Sequence, residues 1–299
     1  MRTLILLGAV ACGTSHRAPA PRPPDREPIA APRDPMTEAS LRADLQWLAA
    51  PERAGRGSRS DDAAATAAWI EAQLRAAGYA PTRQPIEALP GQVNVVAARG
   101  TGPATLVMAH YDHLGPGFPG ADDNASGVAA ALAVARDLAH RPATGRVVFL
   151  FTGGEEVGLL GARAYAAAPT IPLPELRAVY NLDMVGRPFF GAAGDDDREL
   201  GGVGLPEHPD LADLAHDAAA DAGLRLLVLR AGALTAVGQS GRSDDWVFRE
   251  RGVPAVHFST GLGDDYHRAT DTLDKVSPTK LLRVARFVRG LVERTASAR

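Results

Sequence analysis

Along most of the chain, short runs of apolar residues alternate with longer segments in which apolar residues recur at helical spacing. The short runs have the length of strands and occupy residues 93–98, 105–109, 146–151, 178–184 and 253–258. The segments with helical periodicity occupy residues 37–50, 61–77, 126–138, 157–168, 209–222 and 278–292. Strands that are apolar along their whole length must be covered on both faces. The pattern therefore predicts an α/β fold with helices on both sides of a central sheet.

The composition is that of a folded, globular protein. Of the 299 residues, 45% are apolar and 22% are charged, which excludes a disordered or collagen-like chain. Lys and Arg number 32 against 35 Asp and Glu. This near balance gives no electrostatic basis for binding nucleic acid or an anionic membrane surface. A single cysteine excludes an internal disulfide and a cysteine-ligated zinc finger.

The first 35 residues have a composition of their own. Arg2 and the apolar residues 4–11 lead to Cys12, and this run is too short to span a bilayer, so it reads as an export signal. Residues 1–12 resemble a bacterial lipoprotein signal, in which the cysteine carries the lipid. We expect an exported protein, anchored to the cell envelope through a lipidated Cys12, or otherwise periplasmic or secreted. Residues 13–35 are rich in proline and predict an extended tether.

The remaining residues, 36–299, contain neither a second low-complexity segment nor a repeat of fixed period. We therefore expect one catalytic domain there. Residues 191–204 are rich in glycine and aspartate and follow neither periodic pattern. We expect a flexible rim loop in that segment, with a cation site as the alternative.

Polar residues cluster after the second predicted strand and before the helix that follows it. A histidine at the end of a strand, such as His110, can present a ring nitrogen to a metal, and the Asp112 carboxylate can hold its other ring N–H. Asp122, Asp123 and Asn124 stand just before the helix. Such residues can serve only as a helix cap, but two adjacent acids exceed what a cap needs.

Ionisable side chains lie at or just after the ends of three further predicted strands. Glu155 and Glu156 follow a buried strand, where their charges would repel each other. A divalent cation resolves this conflict by binding one glutamate, and the other is then free to act as a base. Asp183 lies between apolar residues, where an acid is rarely left unpaired. His267 follows the last predicted strand.

These two histidines and three carboxylates, with one spare glutamate, suit a pair of Zn²⁺ ions. The ions would lie about 3.5 Å apart and share one carboxylate and a water. A ligand set this rich in oxygen also admits Mn²⁺ or Co²⁺. The residues alone leave open which member of each adjacent acid pair binds the metal.

Over residues 53–275 the chain resembles the co-catalytic di-zinc aminopeptidases. This family includes secreted bacterial leucine-type aminopeptidases and, more distantly, glutamate carboxypeptidase. Six strings carry the resemblance in the family's order: AHYDH, GADDNASG, FTGGEEVGLLGARAY, NLDMVGR, GRSDDWVF and YHRATDT. The resemblance implies a zinc-exopeptidase fold, which is a three-layer α/β/α sandwich with a mixed, mostly parallel central sheet. It also implies that residues 36–299 are a zinc peptidase catalytic domain.

The resemblance also implies a ligand set for two Zn²⁺ ions per chain. His110 and Asp183 would bind one ion, Glu156 and His267 would bind the other, and Asp123 would bridge the two.

Three other residues have catalytic roles implied by the resemblance. Glu155 would be the general base, Asp112 the partner of His110, and Tyr266 a donor to the developing oxyanion. The family often has a cis peptide after the bridging acid, here Asp123–Asn124. The chain departs from the family at Gly154, where many members carry another acid.

Several nearby residues are weaker candidates. We expect His113 to lie close enough to support the ligands, Trp246 to line the substrate pocket, and Arg242 to lie near the active site.

The implied function is hydrolysis of N-terminal peptide bonds by a zinc-bridged water, with Glu155 as general base. The substrates would be peptides with a free N-terminus. Metal ligands alone do not separate this activity from a carboxypeptidase, dipeptidase or glutaminyl cyclase on the same scaffold. A non-catalytic binding module is the alternative from another class, although such a module has no need of the base. We expect no nucleic-acid partner, and membrane contact only through Cys12; the sequence does not determine the oligomeric state.

Overall fold

The computed structural model describes residues 36–191, 197–232 and 242–298. The predicted signal with Cys12 and the predicted tether over 13–35 lie outside the described residues. Within the described ranges, eight strands form one sheet: β1 (Thr82–Pro85), β2 (Val93–Arg99), β3 (Ala104–His110), β4 (Arg146–Thr152), β5 (Leu176–Leu182), β6 (Glu199–Val203), β7 (Arg225–Leu229) and β8 (Ala255–Ser259).

The sheet is mixed, and its centre is parallel. The strand order is β1-β2-β4-β3-β5-β8-β6-β7. The four central strands β4, β3, β5 and β8 run parallel to one another. β1 and β2 are antiparallel at one side, and β6 is antiparallel to β8 at the other, where β7 runs parallel to β6. The carboxyl ends of the four central strands therefore meet at one edge of the sheet.

Helices cover both faces of this sheet and make a three-layer sandwich. One layer consists of α1 (Glu38–Leu48), α2 (Asp61–Ala76), α3 (Ala125–Ala139), α5 (Pro209–Ala222) and α7 (Pro278–Ser297). The opposite layer consists of α4 (Leu160–Ala167) and α6 (Asp245–Arg249). Val107 and Ala109 of β3 pack into the first layer, and Leu106 and Met108 into the second. This alternation follows the pleat of the strand and confirms the predicted α/β/α fold.

None of the helices in the described part of the chain is both long enough and apolar enough to cross a lipid bilayer.

Most predicted elements are present, and the differences lie at element ends and sheet edges. β5 ends at Leu182 instead of residue 184, so Asp183 stands just beyond the strand. α4 begins at Leu160 instead of 157, after Leu159 in a left-handed conformation. The outer strands β1, β6 and β7 were not predicted, and β6 lies inside the segment for which we expected a loop or a cation site. The glycines of β6 and the polar residues of β1 leave no periodic signal, so pairing with neighbouring strands decides their conformation.

A buried ion pair joins the first three helices. Arg136 in α3 contacts Asp44 in α1 through two N–O pairs of 2.5 and 3.0 Å, and it donates to Gln73 in α2 at 2.8 Å. Both charged side chains are almost fully buried. The guanidinium and the carboxylate therefore each depend on the other to offset the free-energy cost of losing contact with water.

Asp44→Ala should lower the free energy of unfolding by about 3–5 kcal/mol, because the buried Arg136 would lose its counter-charge. The matched control is Arg141→Ala, which breaks the ion pair with Asp137, where the arginine side chain is 43% exposed. We expect the control to cost less than about 1 kcal/mol. Denaturant unfolding monitored by circular dichroism measures both values. Equal losses in the two variants would contradict this account.

Candidate metal centre

The four central strands bring four of the predicted ligands to one edge of the sheet. His110 ends β3, Glu156 follows β4, Asp183 follows β5, and His267 lies in the segment after β8. The fifth, Asp123, stands in the loop just before α3. Loops at the carboxyl ends of neighbouring parallel strands can converge, which is why residues far apart in sequence meet here.

One group of donors contains His110, Asp123 and Asp183. His110 Nε2 lies 3.4 Å from Asp123 Oδ1 and 3.5 Å from Asp183 Oδ1. The other ring nitrogen, Nδ1, donates to the main-chain oxygen of Asp112 at 3.1 Å, which leaves the Nε2 lone pair directed at the two carboxylates. Nε2 is buried and has no hydrogen-bond partner in the ranges that the structure describes. A divalent cation between these three atoms fits the donor set.

A second group of donors surrounds Glu156. Its Oε2 lies 3.0 Å from His267 Nε2, and its Oε1 lies 2.8 Å from His113 Nδ1. His267 Nε2 also lies 3.4 Å from Asp123 Oδ2. Asp123 therefore directs Oδ1 to the first group and Oδ2 to the second. A carboxylate shared in this way can bridge two cations.

Neighbouring hydrogen bonds hold Asp123 between the two groups. Asp271 accepts the main-chain N–H of Asp123 at 3.0 Å, and the peptide bond to Asn124 is cis. The Asn124 side chain donates to Leu182 O at 2.8 Å and accepts from Gly127 N at 3.0 Å. These contacts tie the start of α3 to the end of β5.

Gly127 permits this close approach. A Cβ atom at this position would lie 2.3 Å from Leu182 O, well inside van der Waals contact. The glycine in the string GADDNASG is therefore required by packing between α3 and β5.

Asp122, the acid beside Asp123, belongs to neither group. Its Oδ1 accepts the main-chain N–H of Gly186 at 2.8 Å. Burial, together with the charge of Asp271, raises the pKa of Asp122 to about 7. The two adjacent acids therefore point to different parts of the protein.

Glu155 lies beside the donors without contacting an imidazole at hydrogen-bond distance. Burial raises the pKa of Glu155, and the charges of Asp183 and Asp244 act in the same direction against the opposing effect of His110. A carboxyl with a raised pKa is better suited than an ordinary one to take up and release a proton.

Asp112 connects Glu155 to the first group by a different contact from the one expected. Its carboxylate lies 3.8 Å from His110 Nδ1, so the main-chain oxygen of Asp112 holds the ring instead. The carboxylate accepts the main-chain N–H of Glu155 at 3.1 Å and the hydroxyl of Ser58 at 2.5 Å. One residue thus positions both a donor and the neighbouring glutamate.

Three contributing residues were missed in the sequence. Ser243 donates its hydroxyl to Asp183 Oδ2 at 2.6 Å, and Ser58 supports Asp112. Arg56 is fully buried and donates to main-chain oxygens, among them those of Leu48, Tyr111, Pro119 and Gly120. Burial lowers the pKa of Arg56 to about 10, so the guanidinium stays charged at neutral pH. No local pattern marks these residues, because most of their partners are dozens of positions away.

The donor groups lie at one side of a cavity of about 450 Å³. Arg242, Tyr266 and His267 line the cavity too, and the Tyr266 ring stacks on that of His267 with centroids 3.8 Å apart. Burial, reinforced by the charges of Asp123 and Glu156, raises the pKa of Tyr266, so its hydroxyl remains a donor. Apolar residues line much of the rest: Met184, Phe189, Phe190, Leu229, Trp246 and Leu262.

Comparisons with known proteins identify the family of this chain. The model of peptidase family M28 matches residues 94–292. The probable lipoprotein aminopeptidase LpqL of Mycobacterium tuberculosis is 33% identical over an alignment of 221 positions, which covers 63% of this chain and 42% of LpqL. Aminopeptidase YwaD of Bacillus subtilis is 30% identical over an alignment of 193 positions, which covers 62% of this chain and 40% of YwaD. The chain therefore spans about two fifths of the length of these curated relatives.

Solved structures show the same fold. The LapA aminopeptidase of Legionella pneumophila superposes with a TM-score of 0.76 at 18% identity and covers 88% of this chain and 73% of its own. The aminopeptidase of Aneurinibacillus sp. strain AM-1 superposes with a TM-score of 0.73 at 18% identity, covering 87% of this chain and 94% of its own.

We expect about two equivalents of zinc in the unchanged protein and about one in His267→Ala, because the variant loses a donor from the second group only. Glu155→Ala is the control and should keep about two equivalents, since Glu155 is not among the proposed ligands. Elemental analysis of the dialysed proteins gives the ratios. Unchanged zinc content in His267→Ala, or the loss of zinc in Glu155→Ala, would contradict this assignment.

Proposed function

Because the chain belongs to peptidase family M28, we propose that it is a metal-dependent aminopeptidase that hydrolyses the N-terminal bond of peptides. The observation that carries the proposal is the arrangement around Asp123. Its two oxygens face separate groups of imidazole and carboxylate donors, and Glu155 lies beside them in the same cavity. The aminopeptidase names of LpqL and YwaD support the same activity.

The proposed cofactors are two Zn²⁺ ions, with Mn²⁺ or Co²⁺ as substitutes that the oxygen-rich donors would accept. His110 and Asp183 would hold one ion, Glu156 and His267 the other, and Asp123 both. When bound, the ions would lower the pKa of a water molecule and polarise the carbonyl of the scissile bond.

The protein's own residues supply the proton transfers. Glu155 accepts the proton of the attacking water and delivers it to the leaving amine, which is the task that its raised pKa suits. Tyr266 retains its hydroxyl proton and can donate a hydrogen bond to the oxygen that gains negative charge. Asp112 keeps Glu155 and His110 in place through its carboxylate and its main-chain oxygen respectively.

The acids of the cavity favour a substrate with a free amine. Asp123, Glu155 and Asp183 all line it, and their carboxylate oxygens would accept hydrogen bonds from a substrate amino group. One observation favours the alternative of a carboxypeptidase or dipeptidase. Arg242 lines the same cavity, and a guanidinium is well suited to hold a substrate carboxylate. The apolar wall suits an apolar side chain next to the cleaved bond.

Leucyl-p-nitroanilide should be hydrolysed by the metal-replete protein and not by the chelated protein, and N-acetylation should abolish its turnover because the amine is lost. Glu155→Ala should reduce turnover by about 10²–10⁴-fold. Release of p-nitroaniline measures both effects. Hydrolysis of amino-blocked peptides with a free carboxylate would favour a carboxypeptidase instead. Cyclisation of N-terminal glutamine would favour a glutaminyl cyclase. If no substrate is turned over, the result would favour a binding module.

We also propose that the protein is exported and held at the cell envelope by a lipid on Cys12. The support is the basic and apolar sequence before this cysteine, together with the name of LpqL as a probable lipoprotein. Residues 13–35 would act as a tether of up to about 70 Å if fully extended in the polyproline conformation. Residues 36–299 would form the single catalytic domain beyond it.

Cys12→Ser should move the protein from the membrane fraction to the soluble fraction of a bacterial host, because the residue that carries the lipid is gone. Ser15→Ala is the matched control near the same end of the chain and should stay with the membrane. Immunoblotting of the fractions, with incorporation of labelled palmitate, gives the readout. Membrane association of Cys12→Ser equal to that of the control would refute the anchor.

A further inference from the structure

His113 is a third histidine beside the buried acids, and the proposed ligand set does not use it. Its side chain is fully buried. Nδ1 lies 2.8 Å from Oε1 of Glu156 and 3.8 Å from Oδ2 of Asp123. The ring stands at 69° to that of His267, with centroids 5.8 Å apart. Two imidazoles thus approach the two oxygens of Glu156 separately.

The loop around His113 leaves its ring little freedom. The main-chain N–H of His113 donates to Arg56 O at 3.0 Å, which fixes the backbone. Gly120 lies against the ring, and a Cβ there would fall 2.6 Å from Cδ2 of His113. Nε2 is buried and makes no hydrogen bond to any residue the structure describes. The contact of Nδ1 with Glu156 is therefore the polar contact that orients the ring.

The distances separate a hydrogen bond from shared metal binding. Two atoms that each lie about 2.0–2.1 Å from one tetrahedral zinc are about 3.3 Å apart. The separations of His110 Nε2 from Asp123 and Asp183 are 3.4 and 3.5 Å, close to that value. His113 and Glu156 are 2.8 Å apart, which is the length of a hydrogen bond to a carboxylate. The contact of the partly exposed His267 with Glu156, 3.0 Å, lies between the two values.

We propose that His113 is a positioning residue that donates from Nδ1 to Oε1 of Glu156 and so leaves Oε2 for the cation. His113, Asp123 and Glu156 lie close enough together to hold a cation, but the 2.8 Å contact assigns His113 to Glu156 and not to the metal. A hydrogen bond that orients a ligand in this way typically contributes 10–100-fold to metal affinity. The inference rests on the metal centre of the proposed function and adds a residue to its support.

The test compares His113→Ala with His113→Asn in the full-length protein. An asparagine amide lies close to the place of Nδ1 and can donate to Glu156, but its nitrogen does not bind zinc. We expect His113→Ala to lower the affinity for the second zinc by about 10–100-fold and to leave the affinity for the first zinc unchanged. His113→Asn should keep both affinities within a few-fold of those of the unchanged protein. Competition with a chromophoric chelator measures both affinities without reference to activity.

Each other outcome overturns a specific part of the proposal. If His113→Asn loses the second zinc as completely as His113→Ala does, His113 is a ligand. If neither variant changes either affinity, His113 only fills space. If His113→Ala fails to fold, His113→Leu takes its place in the test, because leucine keeps most of the side-chain volume and has no hydrogen-bond donor. An unchanged protein that binds fewer than about two zinc ions would instead count against the metal centre itself.

Discussion

Mutual repulsion between buried carboxylates is the constraint on which the candidate site depends. Asp123, Glu155, Glu156 and Asp183 are gathered at one edge of the sheet, where little water is present to screen their charges. Although burial opposes it, the nearby imidazoles of His110 and His267 lower the pKa of Asp123. Where no imidazole is in contact, burial prevails and the pKa rises, as at Glu155. The positions of the imidazoles thus divide the acids into ionised donors and one group able to carry a proton.

The scaffold makes this arrangement possible by anchoring each acid through its neighbours. Asn124 and Asp271 hold the loop of Asp123, and Ser243 holds Asp183. Arg56 adds a fixed positive charge beneath the same loop while its N–H groups bind main-chain oxygens. A donor that is held before a cation arrives needs little rearrangement to bind it. The sheet supplies the positions, and these hydrogen bonds supply the orientations.

The family match and the site do not cover the same residues. All five proposed ligands lie within residues 94–292, the part that matches peptidase family M28. Arg56 and Ser58 lie before that part, yet they contact the loop of Asp123 and the carboxylate of Asp112. The segment that precedes α2 is therefore part of the machinery that orients the donors. A shortened chain that began at residue 94 would keep the ligands and lose this support.

The α/β class, the central strands and most helices could be read from the sequence, because periodicity is a local property that each segment carries by itself. The resemblance also singled out Asp123 over Asp122, and the strand pattern placed the other four ligands at or after the ends of separate strands. The three-dimensional structure was needed to show that Asp122 turns towards Gly186, that Asp112 holds His110 through its main chain, and that β6 joins the sheet edge. It also revealed Ser58, Ser243 and the contact of His113 with Glu156. These features depend on distances of a few ångströms between segments far apart in the chain, and such distances are set only when the layers pack together.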